Sequence, residues 1–444
     1  MNDMNYAAHR QKLLNAMPPG SVALIASGSE KIRNRDVEFP FRADSDFLYL
    51  TGLNEPDCVL VLIHQSVLNG SELDNDQHQA WLFLREKDPE QETWQGRRLG
   101  VDAAPQALSI DQAWCIDELD EQAPNFLTQA EQVFFSFGQM EEWTPLLTQW
   151  LSGLKAQVRK GLTTPTALCD LDQLLHEQRL FKTPDEIALM RQAAQISVEG
   201  HKAAMRAAKN AEYEYQVQSA LEHEFRQLGS KRVAFNTIAA CGENACILHY
   251  TDNDARLASG ELILMDAGAE YQGYAGDITH TFPVSGRFSE AQKTLYKLVL
   301  AAQQAAIAQV RPGNSYDAMH QASVKVLTQG LIDLGLLKQD FDTAIKEQSY
   351  KRFFMHGTGH WLGRDVHDVG RYKIRGEWRN FEPGMVVTVE PGLYIPKGLQ
   401  DVDAKWQGIG IRIEDDVLVT ESGHEILTQG LPRSVEEIEA WMNA

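Results

Sequence analysis

Short apolar runs separated by polar turns fill the first part of the chain. The runs at 21–27, 46–53, 58–63 and 80–85 (SVALIAS, DFLYLTGL, CVLVLI and AWLFLR) have the length and composition of buried strands. Residues 1–20 instead have the pattern of a short amphipathic helix ended by a Pro-Pro-Gly sequence. Strands mixed with helical text predict an α/β amino-terminal domain.

A helix start marks the change to a second pattern. Thr183 is a suitable N-cap, Pro184 occupies the first helical position, and Glu186 completes a capping box. The domain boundary is therefore expected shortly before this helix, and we divide the chain into residues 1–175 and 176–444.

Beyond this boundary, helices and strands come in blocks. Helical periodicity covers residues 184–208, 212–228, 290–310 and 316–334. Strand-like text begins at Ile238, Ile247, Leu262 and Ile278, and it returns toward the carboxyl end as FFMHGTGHWLG, MVVTVEPGLYI and GIGIRIEDDVLVT. Such blocks favour tight hairpins over regular βαβ alternation, so the second domain is predicted to be α+β with a largely antiparallel sheet.

Two aspartates stand at the ends of apolar strand text. Asp266 follows the buried run Leu262–Met265, and Asp277 precedes the alternating text after DAGAEYQGYAG. A four-residue loop at 270–273 would close a hairpin in which the two aspartates are directly opposite, with Cβ atoms about 5 Å apart. Buried carboxylates so close together are explained only if something positive lies between them.

Two more acids and a histidine motif repeat this arrangement. Glu390 ends the strand text MVVTVE, and Glu414 ends GIGIRIE, where Arg412 shares its face and could steady an acid. The glycines of HGTGH disfavour a helix, so an extended or looped segment is expected, with only one of its histidines reaching a metal. The acid cluster favours His360 over His356 for that role.

The composition of this set predicts the type of ion. Four carboxylates and one imidazole form a hard, oxygen-rich set, which favours a divalent ion such as Mn²⁺ over a thiolate-bound zinc. Four negative charges balance two such ions, which suggests a dinuclear site.

Bulk composition excludes several classes of partner. The formal net charge is -21, which argues against a nucleic-acid backbone as partner. Residues 1–20 lack the apolar run of a secretory signal, and no run approaches the roughly 20 residues of a membrane helix. The five cysteines are scattered without CxxC spacing, so we expect a reducing, cytoplasmic setting.

The wording of the motifs resembles a known family. CGENACILHYTDND, DAGAEYQGYAGDITHTFPVSG, FFMHGTGHWLGRDVHDVG, VVTVEPGLYIP and GIGIRIEDD are similar to the Xaa-Pro aminopeptidase (aminopeptidase P) family of the pita-bread metallopeptidase superfamily. FPFRADSDFLYLTGLNEPDCVLVL is similar to the amino-terminal domain of that family. The resemblance implies an aminopeptidase P-type domain at 1–175 and a pita-bread catalytic domain at 176–444.

The resemblance also implies a role for each site residue. Asp266 would bind one metal, Asp277 and Glu414 would bridge two metals, and His360 and Glu390 would bind the other. The substrate side would be formed by these residues: His249, His356, His367, Tyr394 and Arg412. Of these, Tyr394 is expected as a pocket wall and Arg412 as a partner behind the ligands.

The implied reaction is cleavage of the bond before a proline at position two by a hydroxide that bridges two metals. Glu390 would transfer a proton to the leaving nitrogen, His367 would stabilise the oxyanion, and His249 would position the substrate. The sequence departs from the family motifs at two places, at Thr358 and Gly359 in HGTGH and at His280 in THTF. These departures bear on fine substrate specificity.

The remaining expectations concern the oligomeric state and two alternatives to the aminopeptidase function. The resemblance implies a homo-oligomer, specifically a tetramer, in which Trp94 could reach a neighbouring cleft or pack locally. A prolidase would use the same ligands on Xaa-Pro dipeptides. A pita-bread module that only binds peptides or proteins would be expected to have lost ligands, and all five are present.

Overall fold

The computed structural model describes residues 4–68 and 77–444. The chain divides into two compact units, Met1–Arg179 and Leu180–Ala444. The division expected from sequence, between residues 175 and 176, falls inside the helix Asp172–Leu180 and stays a prediction.

The first unit contains a six-stranded mixed sheet. Its helices are α1 Tyr6–Ala16, α2 Ser45–Thr51, α3 Gln65–Leu68, α4 Pro89–Gln95, α5 Ala104–Leu108, α6 Leu119–Leu127, α7 Met140–Ala156 and α8 Asp172–Leu180. Its strands are β1 Ser21–Ala26, β2 Ile32–Asn34, β3 Val37–Glu38, β4 Val59–Ile63, β5 Gln79–Leu84, β6 Gln112–Cys115, β7 Gln132–Phe135 and β8 Ala167–Asp170. The sheet order is β6-β5-β4-β1-β7-β8, and β2 pairs with β3 separately.

Both faces of this sheet are buried. Along β4, Leu60 and Leu62 pack into one apolar cluster, while Val61 packs into another on the opposite face. The first cluster includes Leu13 of α1, and the second includes Phe126 of α6. A sheet covered by helices on both faces confirms the α/β prediction.

One predicted strand of this unit is wrong. The run DFLYLTGL forms helix α2, because Asp44 caps it by accepting hydrogen bonds from the backbone N–H groups of Asp46 and Phe47 at 2.9 and 3.3 Å. Gly52 ends the helix in a left-handed conformation with φ of 70°. A short, fully buried apolar run does not by itself distinguish strand from helix.

The second unit is α+β. Its helices are α9 Pro184–Ala208, α10 Glu214–Gln227, α11 Glu290–Ile307, α12 Asp317–Asp333, α13 Phe341–Lys346 and α14 Val435–Asn443. Its strands are β9 Arg232–Val233, β10 Ile238–Cys241, β11 Leu262–Asp266, β12 Ala269–Tyr271, β13 Tyr274–Ala275, β14 Thr279–Pro283, β15 Lys373–Ile374, β16 Glu377–Trp378, β17 Val386–Val389, β18 Gly392–Ile395, β19 Ile409–Arg412, β20 Asp415–Thr420 and β21 Gly423–Ile426. These strands pair antiparallel throughout, which confirms the predicted sheet type.

The start of α9 is confirmed in detail. Thr183 accepts a hydrogen bond from the Glu186 backbone N–H at 3.4 Å, and the Glu186 carboxylate accepts one from the Thr183 N–H at 2.9 Å. This reciprocal capping box explains why the helix begins at Pro184.

Two strand predictions in this unit are wrong. The text beginning at Ile247 follows a short 3-10 helix, Gly242–Cys246, and forms no strand. FFMHGTGHWLG runs irregularly beside β17 and contributes a single bridge, Trp361 to Val387. Its glycines leave the backbone without the regular side-chain packing of a strand.

The core of the second unit lies where its helices meet the strands that end in acids. One apolar cluster joins Val198 of α9 and Val299 of α11 to Ile263 of β11 and Ile411 of β19. The strand ends are therefore held from behind by packed helices. None of the helices in residues 4–68 and 77–444 is long and apolar enough to cross a membrane.

A buried ion pair ties the start of the second unit to a distant loop. Lys182 Nζ donates to Asp368 Oδ2 at 2.9 Å, and each side chain is only 1% exposed. We expect Lys182→Met to reduce the free energy of unfolding by about 3–5 kcal/mol, because it removes the buried positive charge that faces the Asp368 carboxylate.

Urea denaturation followed by tryptophan fluorescence measures this loss. Lys405→Met is the matched control, since the Lys405 side chain is 58% exposed. Equal stability of the two variants would show that the buried pair contributes nothing net.

Candidate metal centre

The hairpin that carries the two aspartates differs from its predicted register. Asp266 pairs with Thr279, and Tyr271 pairs with Tyr274, so the turn consists of Gln272 and Gly273 alone. Both turn residues have positive φ, 50° and 79°, which matches the twist of antiparallel strands. The expected four-residue loop, with Asp266 directly opposite Asp277, is therefore wrong by two residues.

The corrected register keeps both aspartates at the same site. Asp277 lies two residues before Thr279, the partner of Asp266, so the aspartates are diagonal neighbours across the hairpin. The backbone N–H of Ala267 donates to the carbonyl of Ile278 at 3.0 Å and links the segments that carry them.

Glycine is required where these segments meet. A Cβ atom on Gly268 would lie 1.6 Å from the carbonyl oxygen of Gly276, so any other residue would force the backbones apart. A Cβ on Gly276 would lie 2.7 Å from Ser197 Oγ of α9. The two glycines of DAGAEYQGYAGDIT that flank the turn thus set how closely the aspartate-bearing segments approach.

Backbone and threonine hydrogen bonds fix Glu414 to this hairpin and join the segments that carry Glu390 and His360 to each other. The Glu414 N–H donates to the Thr279 carbonyl at 3.0 Å, and Thr279 Oγ1 donates to Glu414 Oε2 at 2.7 Å. The Glu390 N–H donates to the Thr358 carbonyl at 2.8 Å, and the His360 N–H donates to Thr388 Oγ1 at 3.1 Å. Each candidate ligand is therefore fixed through its own backbone.

The structure brings the five residues around one cavity of about 500 Å³. His360 Nε2 lies 3.5 Å from Asp277 Oδ2 and 3.7 Å from Glu390 Oε1. One side-chain ligand atom each of Asp277, His360 and Glu414 lie within 4.8 Å of one another. His360 Nδ1 lies 3.0 Å from the Trp361 carbonyl, which only accepts, so Nδ1 carries the hydrogen and Nε2 has a free lone pair.

Burial and mutual repulsion raise the pKa values of carboxylates in this cluster. Burial, followed by the charges of Asp266 and Asp416, raises the pKa of Asp277 well above its usual value. Burial and the charge of Asp277 raise the pKa of Glu414, and burial raises the pKa of Glu390. The carboxylates therefore resist ionising together without a cation.

One oxygen of the cluster has a particular need for a ligand. Asp277 Oδ1 is buried and has no hydrogen-bond partner among the described residues. An inaccessible, unsatisfied carboxylate oxygen beside three further carboxylates and an imidazole fits a hard divalent cation.

Arg412 lies behind the acids and makes hydrogen bonds to several residues of the site. Its Nη2 lies 2.5 Å from Asp266 Oδ2, its Nε donates to Thr279 Oγ1 at 3.1 Å, and its Nη1 donates to the Tyr394 hydroxyl at 3.0 Å. The Tyr394 hydroxyl lies 2.7 Å from His356 Nε2, and His356 Nδ1 lies 2.6 Å from the Gly357 carbonyl. Because that carbonyl only accepts, Nε2 of His356 accepts from Tyr394.

This network keeps His356 neutral. Burial, followed by the charge of Arg412, lowers the pKa of His356 to about 3. Burial raises the pKa of Tyr394 to about 12, so Tyr394 remains a hydrogen-bond donor.

Of the other predicted substrate-side residues, two histidines line the cavity and Tyr394 does not. His249 and His367 are exposed and line the cavity, and the His367 ring lies 4.2 Å from the His360 ring. His367 is nevertheless partly buried by the cavity wall, and this partial burial, followed by the charge of His360, lowers its pKa. Tyr394 was expected to be a cavity wall, but its ring is 0% exposed and does not line the cavity. It contacts the site through its hydroxyl and through the ring of His356, whose centroid lies 5.5 Å away.

Sequence reasoning missed Asp416 at this site. Its Oδ2 accepts from the Asp277 backbone N–H at 3.1 Å, and burial raises its pKa well above its usual value. The signal was present in EDD, since Asp416 lies two residues after Glu414 and alternation places them on the same side.

The residues that depart from the family motifs lie at different distances from the cavity. His280 is fully buried and does not line the cavity, so it lies outside the substrate's reach. Gly359 lines the cavity, and a Cβ there would lie 1.9 Å from the Thr388 carbonyl.

Two family models match the chain. The model of metallopeptidase family M24 matches residues 188–421, and the model of the aminopeptidase P amino-terminal domain matches residues 6–135.

Curated relatives are similar over nearly the whole chain. A Xaa-Pro aminopeptidase of Escherichia coli (strain K12) is 43% identical over 439 residues, which cover 99% of this chain and 97% of that protein. The mitochondrial intermediate cleaving peptidase 55 of Arabidopsis thaliana is 36% identical, over 99% of this chain and 82% of that protein.

Solved structures agree in fold. Aminopeptidase PepP of Pseudomonas aeruginosa matches with a TM-score of 0.94 and 46% identity, covering 99% of this chain and 97% of that chain. Zinc-substituted aminopeptidase P of E. coli in complex with product matches with a TM-score of 0.94 and 42% identity, covering 100% of this chain and 98% of that chain. These likenesses confirm the expected pair of an amino-terminal domain and a pita-bread domain.

Gly268→Ala tests whether close backbone approach builds the site. We expect it to lower the free energy of unfolding by about 3 kcal/mol or more, at or above the upper end of ordinary overpacking, because the obstacle is backbone. We also expect reduced divalent-metal binding, measured by isothermal titration calorimetry.

Gly423→Ala is the control, since a Cβ atom on that strand glycine would meet nothing within 4 Å. If Gly268→Ala matched this control in stability and in metal affinity, the close approach would not determine the site.

Proposed function

Because the chain belongs to metallopeptidase family M24, we propose that it removes the first residue from peptides whose second residue is proline. The observation that carries this proposal is one cavity lined by all five residues of the ligand pattern and by His249, His356 and His367. The similarity to Xaa-Pro aminopeptidases over 99% of the chain supports the same specificity.

The proposed metal ligands are the four carboxylates and the imidazole of this cavity: Asp266, Asp277, His360, Glu390 and Glu414. Four negative charges balance two divalent ions, and an oxygen-rich set favours Mn²⁺. Bound divalent ions supply Lewis-acid chemistry, polarising the scissile carbonyl and lowering the pKa of water. Asp277 and Glu414, whose ligand atoms lie close together, are the proposed bridging residues.

The side chains around the ions handle the protons and the developing charge. The nitrogen of proline in a peptide bond carries no hydrogen, so it must gain a proton to leave. Glu390, ionised as one of the four carboxylate ligands, is the proposed group that accepts a proton from the attacking water and passes it to that nitrogen. His367, neutral because its pKa is lowered, donates an N–H to the oxyanion, and His249 positions the substrate.

The same cavity explains why the enzyme acts at the amino terminus. A free α-amino group can bind to an ion or a carboxylate of this cavity, whereas an internal peptide bond offers no such group. His356 is held neutral and in one orientation through Tyr394 and Arg412, and thus presents a fixed surface to the proline ring.

The family and the described side chains also support a proposal for the cellular location and the oligomeric state. We place the enzyme in the cytoplasm, since its five cysteines are all free. We also propose a homotetramer, in which Trp94, with 82% of its surface exposed, is available for a contact with a neighbouring subunit.

Peptide hydrolysis tests the proposed function against its rivals. Chelator-stripped protein is assayed on an Xaa-Pro-Yaa tripeptide and on the matching Xaa-Pro dipeptide, with and without Mn²⁺. We expect manganese-dependent cleavage of the tripeptide. Cleavage of the dipeptide alone would identify a prolidase, and cleavage of neither with any divalent ion would favour a module that only binds peptides.

Asp277→Asn tests the proposed bridging role. We expect the bound metal to fall by about one ion per subunit or more, because an amide cannot supply the second negative oxygen that bridging requires. Metal content after dialysis is measured by mass spectrometry. Asp403→Asn is the control, since that carboxylate is 59% exposed; unchanged stoichiometry in Asp277→Asn would remove this residue from the ligand set.

A further inference from the structure

A second cavity of about 540 Å³ adjoins the metal cavity. The two share His356, Gly357 and Gly359 as lining, so this segment is their common wall. The other side chains that matter here come from α12, the segment at 349–352 and the β15–β16 hairpin: Tyr316, Asp317, Lys351, Lys373 and Trp378. We call this space the aromatic cavity.

The aromatic cavity has a wall of stacked rings fixed to the catalytic segment. The rings of Tyr316 and Trp378 stack with centroids 5.6 Å apart and planes within 19°. The Tyr316 hydroxyl donates to the Gly359 carbonyl at 2.5 Å, directly before His360. Trp378 is nevertheless 39% exposed, and Met355, which lines the same cavity, is 44% exposed. A large apolar surface is therefore open next to the reaction centre.

The two cavities differ in the charged side chains that line them. The metal cavity holds four carboxylates, whereas the aromatic cavity holds Lys351 and Lys373 against Asp317 alone. The scissile bond must lie at the metal cavity, so the negative carboxyl end of a short peptide is attracted toward these two lysines. Lys373 Nζ lies 4.4 Å from the Trp378 ring centroid, which places a positive charge beside the aromatic wall.

From this shared wall and the two lysines beyond it, we propose that the aromatic cavity binds the part of the peptide that follows the proline. It takes an aromatic or large apolar side chain at position three against Trp378, and a carboxyl terminus near Lys373. The proposal rests on the proposed aminopeptidase function and extends it to a preferred substrate class. An Xaa-Pro dipeptide has no third residue and gains nothing from this cavity.

Trp378→Ala tests the aromatic wall. We expect kcat/KM for Ala-Pro-Phe to fall about tenfold, the loss of one good aromatic contact, while kcat/KM for Ala-Pro-Gly changes by less than about twofold. The matched control is Trp441→Ala, since Trp441 is 36% exposed and lines neither cavity. That control should leave the ratio of the two substrates as in the unaltered enzyme.

Lys373→Gln tests the charge. We expect it to remove most of the preference for Ala-Pro-Phe over its carboxamide, an effect of about threefold that weakens with salt. The matched control is Lys405→Gln, because Lys405 also lies over a tryptophan ring, with its Nζ 5.0 Å from the ring centroid of Trp406.

The outcomes separate this inference from the proposed function. If the unaltered enzyme cleaves neither tripeptide, the proposed function fails. If it cleaves both and Trp378→Ala leaves their ratio unchanged, only the aromatic cavity loses its role. If Trp378→Ala instead changes the subunit number in analytical ultracentrifugation and not the ratio, a second copy of the chain covers this surface and the inference is overturned.

Discussion

Electrostatic repulsion among four carboxylates in one cavity is the constraint on which the second unit depends. Holding ions away from water costs several kcal/mol each unless they are paired, and one arginine does not compensate four acids. Arg412 forms an ion pair with Asp266, while burial, and after it the neighbouring negative charges, raises the pKa values of Asp277 and Glu414. The architecture is stable with these acids ionised only when cations are supplied.

The fold meets this constraint by distributing the acids over separate backbone segments. Asp266 ends β11, Asp277 precedes β14, Glu390 follows β17, and Glu414 joins β19 to β20. Each segment is held by its own backbone hydrogen bonds, with helices packed behind, so repulsion at the tips cannot spread them. The ends of paired strands therefore set the distances between the four carboxylates.

Local patterns predicted what depends on local physics. Alternation placed Asp266, Glu390 and Glu414 at strand ends, and capping chemistry placed the start of α9 at Pro184. The hairpin register failed because it depends on the length of a turn, and Gln272 with Gly273 tightened the turn beyond expectation.

Long-range packing accounts for the rest of what sequence reasoning missed. The run DFLYLTGL became a helix through a cap at Asp44, outside the run itself. The aromatic cavity joins Tyr316 to Trp378, residues that no local period relates. The ring of Tyr394 was expected at the surface of the pocket, but it is fully buried behind His356.

The spread of the acids along the chain also sets the order of events during synthesis. The first proposed ligand is residue 266 and the last is residue 414. At about 5–20 residues per second, roughly 7 to 30 seconds separate their appearance on a ribosome. During that interval the nascent chain has only part of a ligand set and no closed cavity to retain a cation. Metal loading is therefore a late step, governed by the ions present where the carboxyl-terminal strands finally dock.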